Sequence, residues 1–455
     1  MQHHCHRWKI WPAICLFGLA ALFALAAWPL RAGMKTARRP NILFILSDDQ
    51  RFDTIHALGN PEIKTPNLDR LVKRGFHFNN TYCQGGLVPA VCAPSRTMLM
   101  TGRSLFHIPQ PNAKSYDGPT LASVFNRAGY ATLHVGKRGN SFIAGNEAFE
   151  KVIYCDQGVR EAEGQSEDSP QARQPQIVAD AAIEFLRQHQ GDRPFFIYLA
   201  PHYPHDPRIA PKPFHAMYDP AKLTLPPNFM PQHPFDNGEL SVRDEKLAPH
   251  PRTPEEMKRH LADYYACITH FDDHIGRLLD ALKETGHADD TVIVFTSDQG
   301  LAVGGRHGLM GKQNLYEHFK SPLIVAGPGI KPGQSEALVY LFDLFPTLCD
   351  LAGINTPKEC EGTSLVPVMQ GQKKQVRPRL FAAYRDVQRM VRDERWKLIW
   401  YPQVNRFQLF DLAKDPWEMN NLADRPEQAA KLKELKRAMA EEQKKYGDRL
   451  APLEF

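Results

Sequence analysis

The residues best equipped for chemistry lie in the stretch YCQGGLVPAVCAPSRTMLMTGR, which runs from Tyr82 to Arg103. Cys92 is followed by Ala93-Pro94-Ser95-Arg96, and the stretch closes on Thr101-Gly102-Arg103. A proline two residues after the cysteine suits the first turn of a helix, where its missing N–H costs nothing. Gly102 suits the end of that helix, and Met98, Leu99 and Met100 can pack its inner face. The spacing therefore predicts Cys92 at a helix N-terminus, where backbone N–H groups and the dipole favour an anion. Arg96, one turn on, adds a permanent positive charge. This arrangement suits a group that attacks or holds something negatively charged.

Four apolar runs elsewhere end in residues of the same kind. Asn41–Leu46 leads into Ser47-Asp48-Asp49, and Tyr130–Val135 into Gly136-Lys137. The run ending at Leu199 leads into Ala200-Pro201-His202-Tyr203-Pro204-His205, and Thr291–Thr296 into Ser297-Asp298-Gln299-Gly300. Continuous apolar runs predict strands buried on both faces, as in a parallel sheet. Open α/β sheets place ligands outside the carboxyl ends of their strands. Paired carboxylates at such an end are costly unless neutralised, and a divalent metal at Asp48-Asp49 would do so. Arg306-His307-Gly308 and Lys312 follow in a glycine-rich segment.

The elements that must position these groups alternate. Helices are predicted from Pro66 to Gly75, Pro119 to Ala128, Ile177 to Gln188, Glu255 to Thr285 and Leu341 to Ala352, with a further strand at Pro322–Ala326. Residues 156–175 read as a polar surface loop. Residues 207–254 are rich in proline and polar groups and form a long excursion of the functional-loop kind. Asp272, Asp273 and His274 read as a structural face. From about Arg377 the chain changes to short alternating runs and a charged helix, Pro426–Lys445. The expected fold is α/β: a large mixed, mostly parallel sheet sandwiched by helices. The expected division is 1–32 targeting segment, 33–376 catalytic domain and 377–455 a small C-terminal α+β subdomain.

The 455 residues are 42% hydrophobic and 24% charged, with a formal net charge of +5 and no dense basic block, which argues against a nucleic-acid partner. Arg7 and Lys9 precede an apolar run from Ile10 to Leu30, followed by Arg31-Ala32-Gly33. This reads as an export signal whose length also permits an uncleaved anchor. The protein is thus expected to be exported (periplasmic, extracellular or membrane-anchored), touching the membrane only through this segment. Of the eight cysteines, the six beyond the signal match no zinc spacing. Cys349 and Cys360 are one candidate disulfide.

With these motifs together, the chain resembles a type I sulfatase of the alkaline-phosphatase-like superfamily. The Cys92-Ala93-Pro94-Ser95-Arg96…Thr101-Gly102-Arg103 stretch carries the likeness most specifically. Ser47-Asp48-Asp49, Gly136-Lys137, Ala200-Pro201-His202, Ser297-Asp298-Gln299-Gly300, His307-Gly308…Lys312 and Leu409-Phe410-Asp411 extend it over nearly everything after the signal. The resemblance implies that a separate maturation enzyme oxidises Cys92 to formylglycine in the unfolded chain. One hydroxyl of the hydrated aldehyde then attacks the sulfur of a sulfate ester, and the other collapses to expel sulfate. It implies Asp48, Asp49, Asp298, Gln299 and residue 92 as ligands of Ca²⁺, with Mg²⁺ as the alternative. It further implies Arg96 as holder of the formylglycine region, Lys137 and Lys312 as holders of the sulfate oxygens, and His202 as general acid. His205 and His307 would stand at the pocket rim, and a sulfated carbohydrate would be the substrate. One departure is visible: the family's Gly-Lys-Trp-His reads Gly136-Lys137-Arg138-Gly139 here, without the histidine. Two alternatives remain open at this level, a phosphomonoester or phosphonate-ester hydrolase of the same superfamily and a sulfoglycan-binding protein without turnover.

Overall fold

The computed structural model describes residues 39–156 and 169–450; the targeting segment and most of the 156–175 loop lie outside these. In chain order the strands are β1 (Asn41–Ser47), β2 (Phe76–Tyr82), β3 (Gly85–Gly86), β4 (Ala131–Gly136), β5 (Lys151–Tyr154), β6 (Phe195–Ala200), β7 (Thr291–Ser297), β8 (Leu323–Ala326) and β9 (Gly333–Tyr340). After them come β10 (Leu380–Tyr384), β11 (Gln388–Arg392), β12 (Trp396–Tyr401) and β13 (Arg406–Asp411). One sheet takes the order β5-β4-β6-β1-β7-β8-β2-β9. Its centre is parallel, with β1 between β6 and β7 and β4 between β5 and β6. Only β8 runs antiparallel to its neighbours. The expected mixed, mostly parallel sheet is what forms.

Every residue of β1 is buried, as a strand covered on both faces requires. Phe44 and Leu46 face one core together with Phe196, Tyr198 and the Met98-Leu99-Met100 face of the Cys92 helix. Leu43 and Ile45 face the other, with Val178 and Ala182 of the helix Pro170–Gln188 and Ile268 and Ile275 of the helix Pro254–Glu284. The first of these two helices starts earlier than its apolar period predicts. Ser169 caps it by accepting from the Ala172 N–H at 3.2 Å, and Pro170 follows within the first turn. Strands β2, β5 and β9 have no counterpart in the sequence reading, because their polar or exposed positions (His77, Asn79, Lys151, Ser335) interrupt the apolar signal. Asp272 is structural, as expected: its carboxylate accepts the N–H groups of Asn67 at 3.0 Å and Leu68 at 2.7 Å, capping the helix Pro66–Arg74.

A second sheet has the order β13-β12-β11-β10-β3. Its edge, β3, comes from the segment that leads to Cys92, with Gly85 paired to Ala383. Gly85 has φ 102°, and a Cβ there would lie 1.9 Å from the Ala383 carbonyl oxygen, so only glycine fits. Cys83, Cys92, Cys155, Cys267, Cys349 and Cys360 are free thiols. No helix among the described residues is long and apolar enough to cross a membrane.

His134, on β4, is fully buried against Tyr198, Phe149 and Tyr154, with ring centroids 5.3–6.0 Å away. Burial, aided by Arg96, pushes it from 6.5 down to about 3. Unfolding between pH 3 and 6.5 therefore takes up a proton at this residue. Its contribution to stability is complete above pH 6.5 and is lost as the pH falls through that window. Replacing His134 with Phe is expected to flatten the stability-versus-pH curve there by about 1.4 kcal/mol per pH unit. Urea titrations at pH 4.5, 5.5 and 6.5 measure this, and an unchanged slope would contradict it.

Candidate active site

The strand ends converge because their strands are neighbours. Asp48-Asp49 leave β1 and Asp298-Gln299 leave β7, which are in register at Ser47 and Ser297. Lys137 leaves β4 and His202 leaves β6, and backbone bonds stitch the ends together. Asp48 N donates to Tyr203 O at 3.0 Å, Lys137 N to Ala200 O at 3.0 Å and Asp298 N to Ser47 O at 3.2 Å. Asp49 adopts φ 67°, a left-handed conformation uncommon for a non-glycine residue and of the kind stored at functional sites.

The Cys92 helix (Cys92–Thr101) begins and ends where proline and glycine predict, with Gly102 at φ 66° as its C-cap. It is buried throughout. The Cys92 thiol donates to Asp48 Oδ1 at 3.3 Å. Gln299 Nε2 and Lys312 Nζ donate to the sulfur at 3.1 and 3.3 Å. Burial and the neighbouring Asp48 push the thiol well above its ordinary range, so it is not a thiolate. Arg96 bridges the two strand ends through Nε to Asp298 Oδ2 at 3.0 Å and Nη2 to Asp48 Oδ2 at 3.2 Å. Lys137 pairs with Asp48. Lys312 donates to both oxygens of Asp49, at 2.8 and 3.1 Å. Burial raises the Asp48 carboxyl, but Lys137 and Arg96 outweigh it and hold it well below the usual range.

The oxygen donors gathered here, the carboxylates of Asp48 and Asp49 and the side-chain amide of Gln299, suit a hard divalent cation. One ligand atom from each of Asp48, Asp49, Cys92 and His205 lies within 4.8 Å of the others. Gln299 Oε1, beside them, is buried without a hydrogen-bond partner among the described residues, the condition of a ligand oxygen in want of a cation. Asp298 is turned differently: Oδ1 accepts the Asp49 and Gln299 N–H groups at 3.0 Å each, and Oδ2 accepts from Arg96. Asp298 thus braces Asp49 and Arg96 at the edge of the group.

Two histidines complete the wall. The rings of His202 and His205 lie 4.2 Å apart, and His205 Nε2 is 3.5 Å from Asp49 Oδ2. Burial, His205 and Lys137 together hold His202 neutral, well below its ordinary value. The histidine missing after Lys137 has no substitute nearby in sequence. Asn140 is exposed, and His134 is enclosed in its aromatic group. His307 is not part of this wall. It pairs with Glu317 Oε2 at 2.9 Å, bonds Asn228 Nδ2 at 2.9 Å and stacks on Tyr316 at 3.9 Å, so none of its hydrogen bonds reaches the Cys92 group. A pocket-rim role beside Cys92 therefore does not follow from its place in the fold.

A sequence model of the sulfatase family matches residues 40–354. The chain belongs to the sulfatase family. A second model, the C-terminal part of N-sulphoglucosamine sulphohydrolase, matches residues 305–445. This sulfatase is 29% identical to N-acetylglucosamine-6-O-sulfatase of Bacteroides thetaiotaomicron, over 96% of this chain and 92% of that one. It is 31% identical to choline-sulfatase of Rhizobium meliloti, over 86% and 84%. Its fold is similar to that of a protein solved in complex with its substrate D-glucosamine-2-N,6-O-disulfate (TM-score 0.73, 25% identity, 91% of this chain and 99% of that one). It also shares the fold of phosphonate monoester hydrolase of Agrobacterium radiobacter (TM-score 0.76, 23% identity, 90% and 96%). By family, the protein is a sulfuric ester hydrolase.

The long excursion supplies parts of the sulfatase site that sequence reasoning did not name individually. Asp206 and Arg243 form an ion pair beside His205, and Arg243 Nε donates to Asp244 at 2.9 Å. Glu245 clamps the loop that carries Lys312. Its two carboxylate oxygens accept the N–H groups of Met310 at 3.0 Å and Gly311 at 2.9 Å, and Arg252 pairs with it at 2.8 Å. Both charged side chains are fully enclosed. Glu245→Gln preserves the shape but turns an NH₂ group toward one of these N–H donors. We expect kcat/KM on a sulfate ester to fall by about tenfold. In a Lys312→Ala background the same substitution should change little, because Glu245 acts through Lys312. Equal losses in both backgrounds would show that it does not.

Proposed function

We infer that this sulfatase hydrolyses sulfate esters on a carbohydrate, with residue 92 carrying the attacking group in its formylglycine form. The observation that bears most on this is the placement of Cys92. It stands at the start of a buried helix, between Asp48 on one side and Lys312 and Gln299 on the other. A protonated thiol held so has little nucleophilic character, whereas an aldehyde hydrate offers one hydroxyl to attack sulfur and a second to expel sulfate. Asp48, Asp49, Asp298, Gln299 and residue 92 would hold Ca²⁺, or Mg²⁺ in its place. When bound, the ion would draw charge from the sulfate oxygens and lower the pKa of the attacking hydroxyl.

The chain's own residues supply the rest. Lys137 and Lys312 hold the sulfate oxygens and offset the charge that develops on them. Arg96 fixes Asp48 and Asp298. His202, held neutral in the empty pocket, takes up a proton when the anionic sulfate ester binds beside it and gives that proton to the leaving oxygen. His205 contacts Asp49 and reaches within 4.8 Å of residue 92. It accepts the proton from residue 92, the role of the histidine absent after Lys137. Carbohydrate as substrate class draws on the N-acetylglucosamine-6-O-sulfatase likeness. Export and a separate maturation enzyme complete the proposal.

Paired 4-nitrophenyl sulfate and 4-nitrophenyl phosphate, then a panel of defined sulfated sugars, test it on protein co-expressed with a maturation enzyme. Release from the sulfate ester is expected to dominate. It should be lost after chelation and restored by Ca²⁺. A strong phosphate preference would overturn the reading.

A further inference from the structure

A cavity of about 740 Å³, within the size range of ligand sites, lies between the 228–235 segment of the excursion and strand β13. It shares none of its lining residues with the Cys92 group, and the roles assigned above leave it unused.

Its chemistry is specific. The full charges in its wall are already matched. Glu418 binds Lys397 through both oxygens at 2.8 and 2.9 Å, and His307 binds Glu317. At the rim, Arg406 and Asp424 carry opposite signs. The cavity is therefore not built for an anion or a cation. What remains unmatched is amide. Gln408 is 7% exposed, and its Oε1 accepts from the hydroxyls of Tyr316 at 2.5 Å and Tyr401 at 2.8 Å. The two phenols pin one end of this amide, and the other end makes no hydrogen bond among the described residues. Asn228, 2% exposed, belongs to the back of the wall: its Nδ2 donates to Glu317 at 2.7 Å and to the Trp417 carbonyl at 3.1 Å, and its Oδ1 is closed off from the cavity. Asn405, at the tip of the β12–β13 hairpin, presents a second amide from a left-handed turn at φ 47°. Between these polar groups lie the apolar side chains of Phe229, Met230 and Phe407. Amide groups that both donate and accept match vicinal hydroxyls, and the intervening apolar faces match the C–H face of a ring. A neutral polyol ring with one apolar face is a sugar.

We propose that this cavity is a second saccharide-binding site, taking an unsulfated sugar unit of a glycan whose sulfated unit lies at residue 92. It rests on the carbohydrate reading above for its biological meaning, but its binding chemistry can be read independently.

Isothermal titration of the full-length protein with cellotetraose and with chitotetraose tests the binding. At least one of these neutral tetrasaccharides is expected to bind. Gln408→Leu and Asn405→Gly should each weaken it by about tenfold, the worth of one hydrogen bond. Glycine tolerates the left-handed turn, so the second variant keeps the test sound should the first fold poorly. On matured enzyme, both variants should raise KM for a sulfated oligosaccharide and leave kcat/KM for a sulfated monosaccharide unchanged. Failure of both tetrasaccharides to bind, or equal losses on monosaccharide and oligosaccharide, would overturn the proposal. Absence of turnover on every sulfated sugar, with tetrasaccharide binding intact, would instead remove the catalytic reading and leave this site standing.

Discussion

Cys92→Ala is expected to abolish sulfate ester hydrolysis, lowering kcat by about 10⁴-fold or more, as removal of a nucleophile does elsewhere. The substitution takes away one sulfur atom at a site where Asp48, Gln299 and Lys312 all converge. Alanine suits the helix, so the fold should survive and the loss should be chemical. Cys92→Ser separates two readings of the same position. Serine supplies one hydroxyl, enough to attack sulfur but not to expel the sulfate afterwards. A single turnover with sulfate retained on the protein is the expected result, seen as a mass gain on the peptide containing residue 92. Full steady-state activity in either variant would show that residue 92 is not the attacking position. Wild-type protein made without a maturation enzyme should behave like the alanine variant, because its thiol is held protonated.

The second large effect is on stability. Arg96 is 1% exposed and joins Asp48 to Asp298. Removing its charge leaves two enclosed carboxylates short of a partner, with Lys137 remaining on Asp48 alone. Arg96→Met is therefore expected to destabilise the fold by about 3–5 kcal/mol, the cost of breaking a buried ion pair from one side. Arg96→Lys should recover little, since an ammonium lacks the planar fork that reaches both strand ends at once. Urea unfolding at constant pH and metal concentration measures the loss. A change below about 1 kcal/mol, the range of a surface pair, would mean that the bridge is not structural.

Much of this site was legible because its carriers are simple. A strand buried on both faces must be apolar along its length, so the first polar residue beyond it stands out. Asp48, Lys137, His202 and Asp298 were found in this way. Pro94 and Gly102 bracket the Cys92 helix for reasons confined to its own backbone. The remainder depends on partners distant in sequence. His205 and His307 looked equivalent as rim candidates. They are separated by what they meet in space, Asp49 for the first and Glu317 with Asn228 for the second. Glu245 sits in an aperiodic stretch, and its role is visible only once Met310 and Gly311 are seen to turn their N–H groups toward it. The two glycines of β3 give no strand signal at all, since a strand of two residues has no period to detect.

That short strand has a consequence for the order of events in synthesis. The segment just before Cys92 is held by residues 383–385: Ala383 N donates to Gln84 O at 3.0 Å, and Arg385 N to Gly86 O at 2.8 Å. These partners leave the ribosome almost three hundred residues after the cysteine. At ~5–20 residues per second, that interval is roughly 15–60 s. Throughout it the Cys92 segment lacks the edge that fastens it, and afterwards the side chain is sealed. The distance along the chain would thus act as a clock for the maturation proposed above: a late-arriving strand would leave the cysteine open to the modifying enzyme, then close it.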